Sequence, residues 1–221
     1  MKIMGLSSWV HWIAWFTKCF IFLLIPMIII TFLSSFQFIK ETNGRMIDRT
    51  HWSVIFVYLI IYSISAIMFC FMVSTFFYRA NLAAAAGGIM WFLAYVPYFF
   101  IANYYDRFTL KQKIMSCLDF QVAMSMGANL IGRFEGQGSG IQWSNIFEGV
   151  TVDDDFTFAY VLGMMLFDSF MYGFITWYVE TVYPGEFGIP RPWYFLFQRS
   201  YWHGYEDEVI MELSLSFGIV Y

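Results

Sequence analysis

Three acidic residues lie within otherwise apolar stretches of the chain. Asp168 is midway along the last long apolar segment, Glu180 lies near the end of that segment, and Asp119 lies in a shorter one. An ionisable side chain inside a bilayer costs several kcal/mol, so each is either a functional group or a buried hydrogen-bonding group that clamps two helices together. Both possibilities stay open, and we predict that Asp168, Glu180 and Asp119 are buried polar anchors of a helix bundle.

The sequence gives little support for nucleotide binding, metal binding or catalysis. The nucleotide-binding motif G-x-x-x-x-G-K-S/T is absent, and the glycine-rich run Glu135–Gly140 has no lysine to bind a phosphate, which is typical of a flexible loop. The histidines, His11, His51 and His203, are far apart, and no Ser-His-Asp or Cys-His arrangement is evident. We therefore predict no catalytic residue, no cofactor-binding residue and no metal ligand in this chain.

The composition indicates the environment of these residues. Hydrophobic residues make up 60% of the 221 residues, aromatic residues 23% and charged residues 13%. A soluble domain has about 25% charged residues, so this chain cannot cover a water-exposed surface of ordinary polarity. The net charge of -4 favours no nucleic-acid partner. We predict an all-α, polytopic integral membrane protein.

Four apolar segments are long enough to cross a bilayer, which takes about 20 residues in a helix. Polar loops, prolines or a single arginine separate them. The acidic run Asp153–Asp155 precedes the last one and suits the positive end of a helix dipole. The predicted spans cover approximately residues 9–39, 52–78, 80–105 and 156–182.

A fifth apolar segment, Ile114–Gly132, is less uniform. Charged residues precede it, and Lys113 is among those that indicate an aqueous or interfacial loop. Because the segment carries polar side chains, a re-entrant helical hairpin over about 109–134 is favoured over a complete fifth span. Backbone of this kind is stable in a membrane only when protein or a cavity covers it. The expected break points are Ser125, Gly127 and Gly132.

Ordered motifs along the chain are familiar from one family of membrane proteins. They occur in this order: Met1–Leu6; Ser74–Phe77, Arg79–Ala85, Gly87, Gly88 and Tyr95–Tyr98; Arg133–Glu135, Gln137, Gly138 and Gly140–Trp143; Met164–Leu166, Asp168, Tyr172, Gly173, Trp177, Tyr178 and Glu180; Pro184, Gly185, Gly188–Phe195 and Ser200–Trp202. In these residues the chain resembles the membrane domain of the subfamily A ABC exporters, which move phospholipids and sterols.

The resemblance implies a partial exporter transmembrane domain over residues 1–204, whereas the tail at 205–221 matches nothing familiar. It implies that ATP and Mg²⁺ bind to an ATP-binding cassette outside this chain, and that the partners are membrane lipids, that cassette and a second transmembrane half. It also implies cytoplasmic termini and an exoplasmic hairpin. The distribution of Lys and Arg in the loops favours the reverse orientation.

Two functions follow as hypotheses. In the first, the chain is the transmembrane part of an ATP-driven lipid exporter, forming the lipid pathway and the helices that couple to the cassette. In the second, it is a truncated, non-transporting membrane interaction protein that pairs with a complete exporter. The residues at Ile114–Asn129 differ from the family pattern, so the lipid substrate stays open.

Overall fold

The structure is a computed structural model that describes residues 8–35, 47, 49–77, 79–151, 154–183 and 192–195. The predicted end of the first span at 36–39, position 78 and the unrecognised tail lie outside these ranges. The chain divides into two compact units, Met1–Thr176 and Trp177–Tyr221, which are described separately.

Six α-helices and one short 3₁₀ turn, Tyr105–Arg107, occupy most of the described residues, which contain no β-strand. Four of the helices are long and apolar enough to cross a membrane, so the prediction of an all-α polytopic protein with four spans is confirmed. The helices are α1 Ser8–Ser35, α2 Trp52–Thr75, α3 Ala80–Tyr104, α4 Leu110–Ser116, α5 Phe120–Gly136 and α6 Phe158–Val182.

Helix α2 is the central element of the first unit. Helix α1 packs antiparallel to it, because the Trp12 ring lies 4.8 Å from that of Phe71, while the Ser63 hydroxyl lies 3.1 Å from the Met27 sulfur. These contacts join the start of α1 to the end of α2, and the later part of α1 to the middle of α2.

Helix α6 runs parallel to α2. The Tyr58 and Phe158 rings lie 5.3 Å apart near the start of both helices, and the Phe69 and Tyr172 rings lie 5.6 Å apart further along. The starts of α2 and α6 therefore lie at the same end of the bundle, opposite the junction of α2 with α3.

Helices α4 and α5 form the predicted hairpin. The chain reverses at Cys117–Asp119, where the Asp119 carboxylate accepts a hydrogen bond of 3.0 Å from the Gln121 N–H and begins α5. The predicted break points, Ser125, Gly127 and Gly132, were wrong because α5 continues through all three. Asp119 caps the start of α5, whereas an interior glycine or serine lowers helix propensity only modestly and does not by itself end a helix.

Both ends of the hairpin lie at the end of the bundle where α2 and α6 begin. The Glu135 carboxylate, on the last turn of α5, accepts hydrogen bonds from the backbone N–H groups of Arg49 (3.1 Å) and Thr50 (2.6 Å). On α4, the Lys113 ammonium group lies 2.9 Å from the Asp154 carboxylate, just before α6. The hairpin enters the bundle and returns to the same end, as a re-entrant element must.

Gly127 lets α5 approach α2 closely. A Cβ atom at this position would lie 2.6 Å from the Tyr58 hydroxyl oxygen and 2.7 Å from its ring. Tyr58 is buried and its hydroxyl donates a hydrogen bond to the Met124 carbonyl on α5, so the ring cannot swing aside freely. Gly127, which the sequence suggested as a break point, is therefore a packing contact between α5 and α2.

We expect Gly127→Ala to destabilise the protein by about 1–3 kcal/mol, because the added methyl group overpacks a filled contact. Thermal unfolding of the detergent-purified protein measures this effect. Gly132→Ala is the matched control on the same helix, where an added Cβ meets no atom within 4 Å. It should be neutral or slightly stabilising, since alanine favours helix over glycine. Equal effects of the two substitutions would contradict the close contact.

Candidate polar site at the hairpin tip

The turn of the hairpin is enclosed by aromatic side chains. Phe120, the first residue of α5, is 0% exposed. Its ring centre lies 4.8 Å from that of Phe69 on α2, 5.1 Å from Trp91 on α3 and 6.1 Å from Tyr172 on α6. Three long helices therefore cover the chain reversal, and edge-to-face and tilted ring pairs of this kind add to the apolar burial.

Polar groups occur on the α6 side of the tip. The Tyr172 hydroxyl donates to the Leu118 carbonyl over 3.4 Å, which links α6 directly to the turn. One helical turn earlier, the Ser169 hydroxyl lies 2.8 Å from the Ser65 hydroxyl of α2. Both serines also contact the Met165 carbonyl, at 2.7 and 2.9 Å. The hydroxyl groups nearest the tip are thus engaged with one another and with backbone.

Asp168 lies beside this group and is 0% exposed. Neither of its carboxylate oxygens has a hydrogen-bond partner in the described part of the chain. Asp119 and the Cys117 thiol, at the turn of the hairpin, lie within electrostatic range of Asp168. Asp119 itself is half-buried.

The structure therefore brings two of the three predicted acids, Asp168 and Asp119, to one site. Glu180 belongs to the second unit, where it is half-buried near the end of α6. Among the described residues no group of three or more histidine, cysteine or acidic side chains could hold a metal ion. The anchoring roles of Asp168, Asp119 and Glu180 stay predictions.

A second polar cluster lies at the base of the hairpin. The Lys113 side chain is 6% exposed, and its ammonium group, besides its ion pair with Asp154, lies 3.9 Å from the centre of the Tyr105 ring. The Tyr105 hydroxyl donates to Asp154 over 3.0 Å, and the Arg133 guanidinium lies 4.2 Å from the same ring. The cluster ties α4, α5 and the chain before α6 to the end of α3.

The ion pair governs the charge of Asp154. Burial alone would raise the pKa of this carboxyl, but hydrogen bonds from Lys113, the Phe156 N–H and Tyr105 outweigh it, and the pKa lies below its ordinary value. Sequence reasoning missed the pair, since Lys113 looked like a loop charge and Asp154 like a complement to a helix dipole. The two are 41 residues apart, and no local spacing could have joined them.

We expect Asp154→Asn to destabilise the protein by about 2–3 kcal/mol at neutral pH, because it leaves the buried Lys113 ammonium without an anionic partner. Since the folded pKa of Asp154 is depressed, its stabilisation is present above about pH 4 and is lost as the pH falls through the folded value. Thermal unfolding between neutral and acidic pH should show this acid loss in the wild type and less of it in the variant.

The control for this prediction is Asp106→Asn. Asp106 has an 89% exposed side chain, 3.7 Å from Arg133, and its removal should change stability little. If the two variants are equally stable, the pair at the hairpin base does not fasten it.

Comparison with known proteins identifies relatives of this chain. No family model matches the chain. The chain is 52% identical over 204 residues to the human phospholipid-transporting ATPase ABCA3, an alignment that covers 92% of the chain and 12% of that protein. It is 39% identical to the bovine retinal-specific phospholipid-transporting ATPase ABCA4, covering 93% of the chain and 9% of the relative.

Human ATP-binding cassette sub-family A member 2 is 38% identical over 208 residues, which are 92% of the chain and 8% of that protein. The chain thus spans about an eighth or less of the length of these relatives. Four apolar spans agree with a segment that lies in a membrane. The chain is an integral, multi-pass membrane segment homologous over nearly all of its length to subfamily A ABC transporters.

Proposed function

We propose that this chain is a transmembrane part of an ATP-driven phospholipid exporter, where it forms part of the lipid pathway and carries motion from an ATP-binding cassette. The observation that carries the proposal is the 52% identity over 204 residues with a phospholipid-transporting ATPase. ATP and Mg²⁺ would bind to the cassette, which these residues do not contain. A second transmembrane half and membrane lipids would be the other partners.

The apolar surface of the first unit supports this proposal. Helices α1 and α3 pack few of their side chains inside the unit, and large apolar groups project from them along their length. Such surfaces suit lipid acyl chains or the transmembrane helices of a longer protein. The exposed side chains include Phe22, Ile29 and Phe32 on α1 and Ile89, Phe92, Phe99 and Phe100 on α3.

The hairpin formed by α4 and α5 can respond to movement of the long helices around it. Its tip contacts α2, α3 and α6 through Phe120, and its base is held by Lys113 and Glu135. A shift of α6 relative to α2 would therefore act on the tip directly. In an exporter this contact would link helix rearrangement to the end of the bundle where the hairpin enters.

A chimeric transporter tests the proposal. The matching 204-residue segment of human ABCA3 is replaced with the corresponding residues of this chain, and the purified chimera is reconstituted in phospholipid vesicles. We expect ATP-dependent phospholipid movement within several-fold of the parent rate, because the exchanged residues are 52% identical to those they replace.

The matching segment of bovine ABCA4, another phospholipid-transporting ATPase, provides the control for whether the recipient protein tolerates an exchange at this place. If the control chimera moves phospholipid and the chimera with this chain hydrolyses ATP without moving it, the proposed function is wrong.

A further inference from the structure

The buried carboxyl of Asp168 is the one described side chain whose buried polar atoms have no hydrogen-bond partner. The whole residue is 0% exposed, so no water-sized space adjoins either oxygen. The hydroxyl of Ser169, the next residue along α6, is engaged with the Ser65 hydroxyl and with the Met165 carbonyl. A carboxylate in these surroundings would be a bare charge among apolar groups.

The titratable groups near Asp168 do not offset that charge. Within the described ranges, Asp119 and Cys117 at the hairpin tip and Tyr172 on α6 interact electrostatically with Asp168. None of them is basic: the thiol and the phenol are neutral at neutral pH, and a charged Asp119 would repel a second carboxylate. On α2, the Ser65 hydroxyl binds the Ser169 hydroxyl. Burying an unpaired charge costs far more free energy than burying an unpaired neutral hydroxyl.

Any ligand that stabilises the buried Asp168 carboxyl must also fit the space beside its oxygens. A metal ion would need several further ligands, and the described residues offer no such group. A water molecule has no room beside the oxygens. A proton needs no volume, and it turns the carboxylate into a neutral acid with one O–H bond. A proton is therefore the ligand that this site can hold as it is packed.

We propose that Asp168 is a proton-binding site that latches the hairpin tip to α6. The carboxyl is protonated while the tip is docked, and it releases the proton to water when the tip moves away and the oxygens become hydrated. Loss of the proton in the docked state would place a negative charge near Asp119 at the tip, and the repulsion favours displacement of the tip. This role of Asp168 is inferred from the geometry of the site and is independent of the proposed lipid transport.

Infrared spectroscopy of the purified chain in lipid tests the proton site. We expect the carbonyl band of a protonated, buried carboxylic acid at neutral pH, its loss in Asp168→Asn and its retention in Asp119→Asn. Carboxyl-labelled ¹³C-aspartate in the unmodified chain should shift the band, so its presence can be scored even if a variant does not fold. Absence of the band, or its loss in Asp119→Asn alone, overturns the proposal.

Hydrogen exchange tests the latch. At alkaline pH the amides of residues 117–124 should exchange several-fold faster in the wild type than in Asp168→Asn, which cannot acquire the negative charge. Because both proteins are compared at one pH, their intrinsic exchange rates are the same. Residues 52–60 of α2 provide an internal reference and should exchange equally in both. Equal exchange at the tip would show that the proton does not control its docking.

Discussion

The architecture depends on one constraint: a chain that reverses inside a membrane must not present its backbone to lipid. Unpaired N–H and C=O groups have no water to bind there, so a turn survives only under cover of protein. Here Cys117–Asp119 lies beneath side chains of α2, α3 and α6, and Asp119 and Tyr172 satisfy part of its backbone. The crossing helices are arranged around this requirement, with α2 at the centre.

Two kinds of interaction hold the hairpin at its two ends. The tip is fastened by ring contacts around Phe120, and close packing at Gly127 holds the middle of α5 against α2; both need dense, apolar surroundings. The base is fastened by charge, with Lys113 paired to Asp154 and Glu135 bound to backbone N–H groups beside α2. This division follows the polarity expected of a re-entrant element, and the carboxyls of Asp168 and Asp119 are the exceptions at the apolar end.

Much of the fold could be predicted from the residues, because each long and predominantly apolar run fits a membrane helix. A helical hairpin could also be predicted from the polar groups in Ile114–Gly132. Its turn was misplaced because Gly127 looks like a break in sequence, and only the approach of Tyr58 shows it to be a contact. Asp168 stands out by its place within a span, whereas its proximity to Cys117 and Asp119 arises from tertiary packing that no local pattern encodes.

The most direct test of this account is the side of the membrane from which each loop can be reached. Lys111→Cys, Ser139→Cys and Arg79→Cys are placed singly in a chain whose three cysteines, Cys19, Cys70 and Cys117, are replaced by alanine. A membrane-impermeant thiol reagent is then applied to sealed vesicles of known orientation. The account predicts that Lys111→Cys and Ser139→Cys react from one side and Arg79→Cys from the other. Reaction of Lys111→Cys and Ser139→Cys from opposite sides would show that α4 and α5 cross the membrane, and would contradict the re-entrant hairpin.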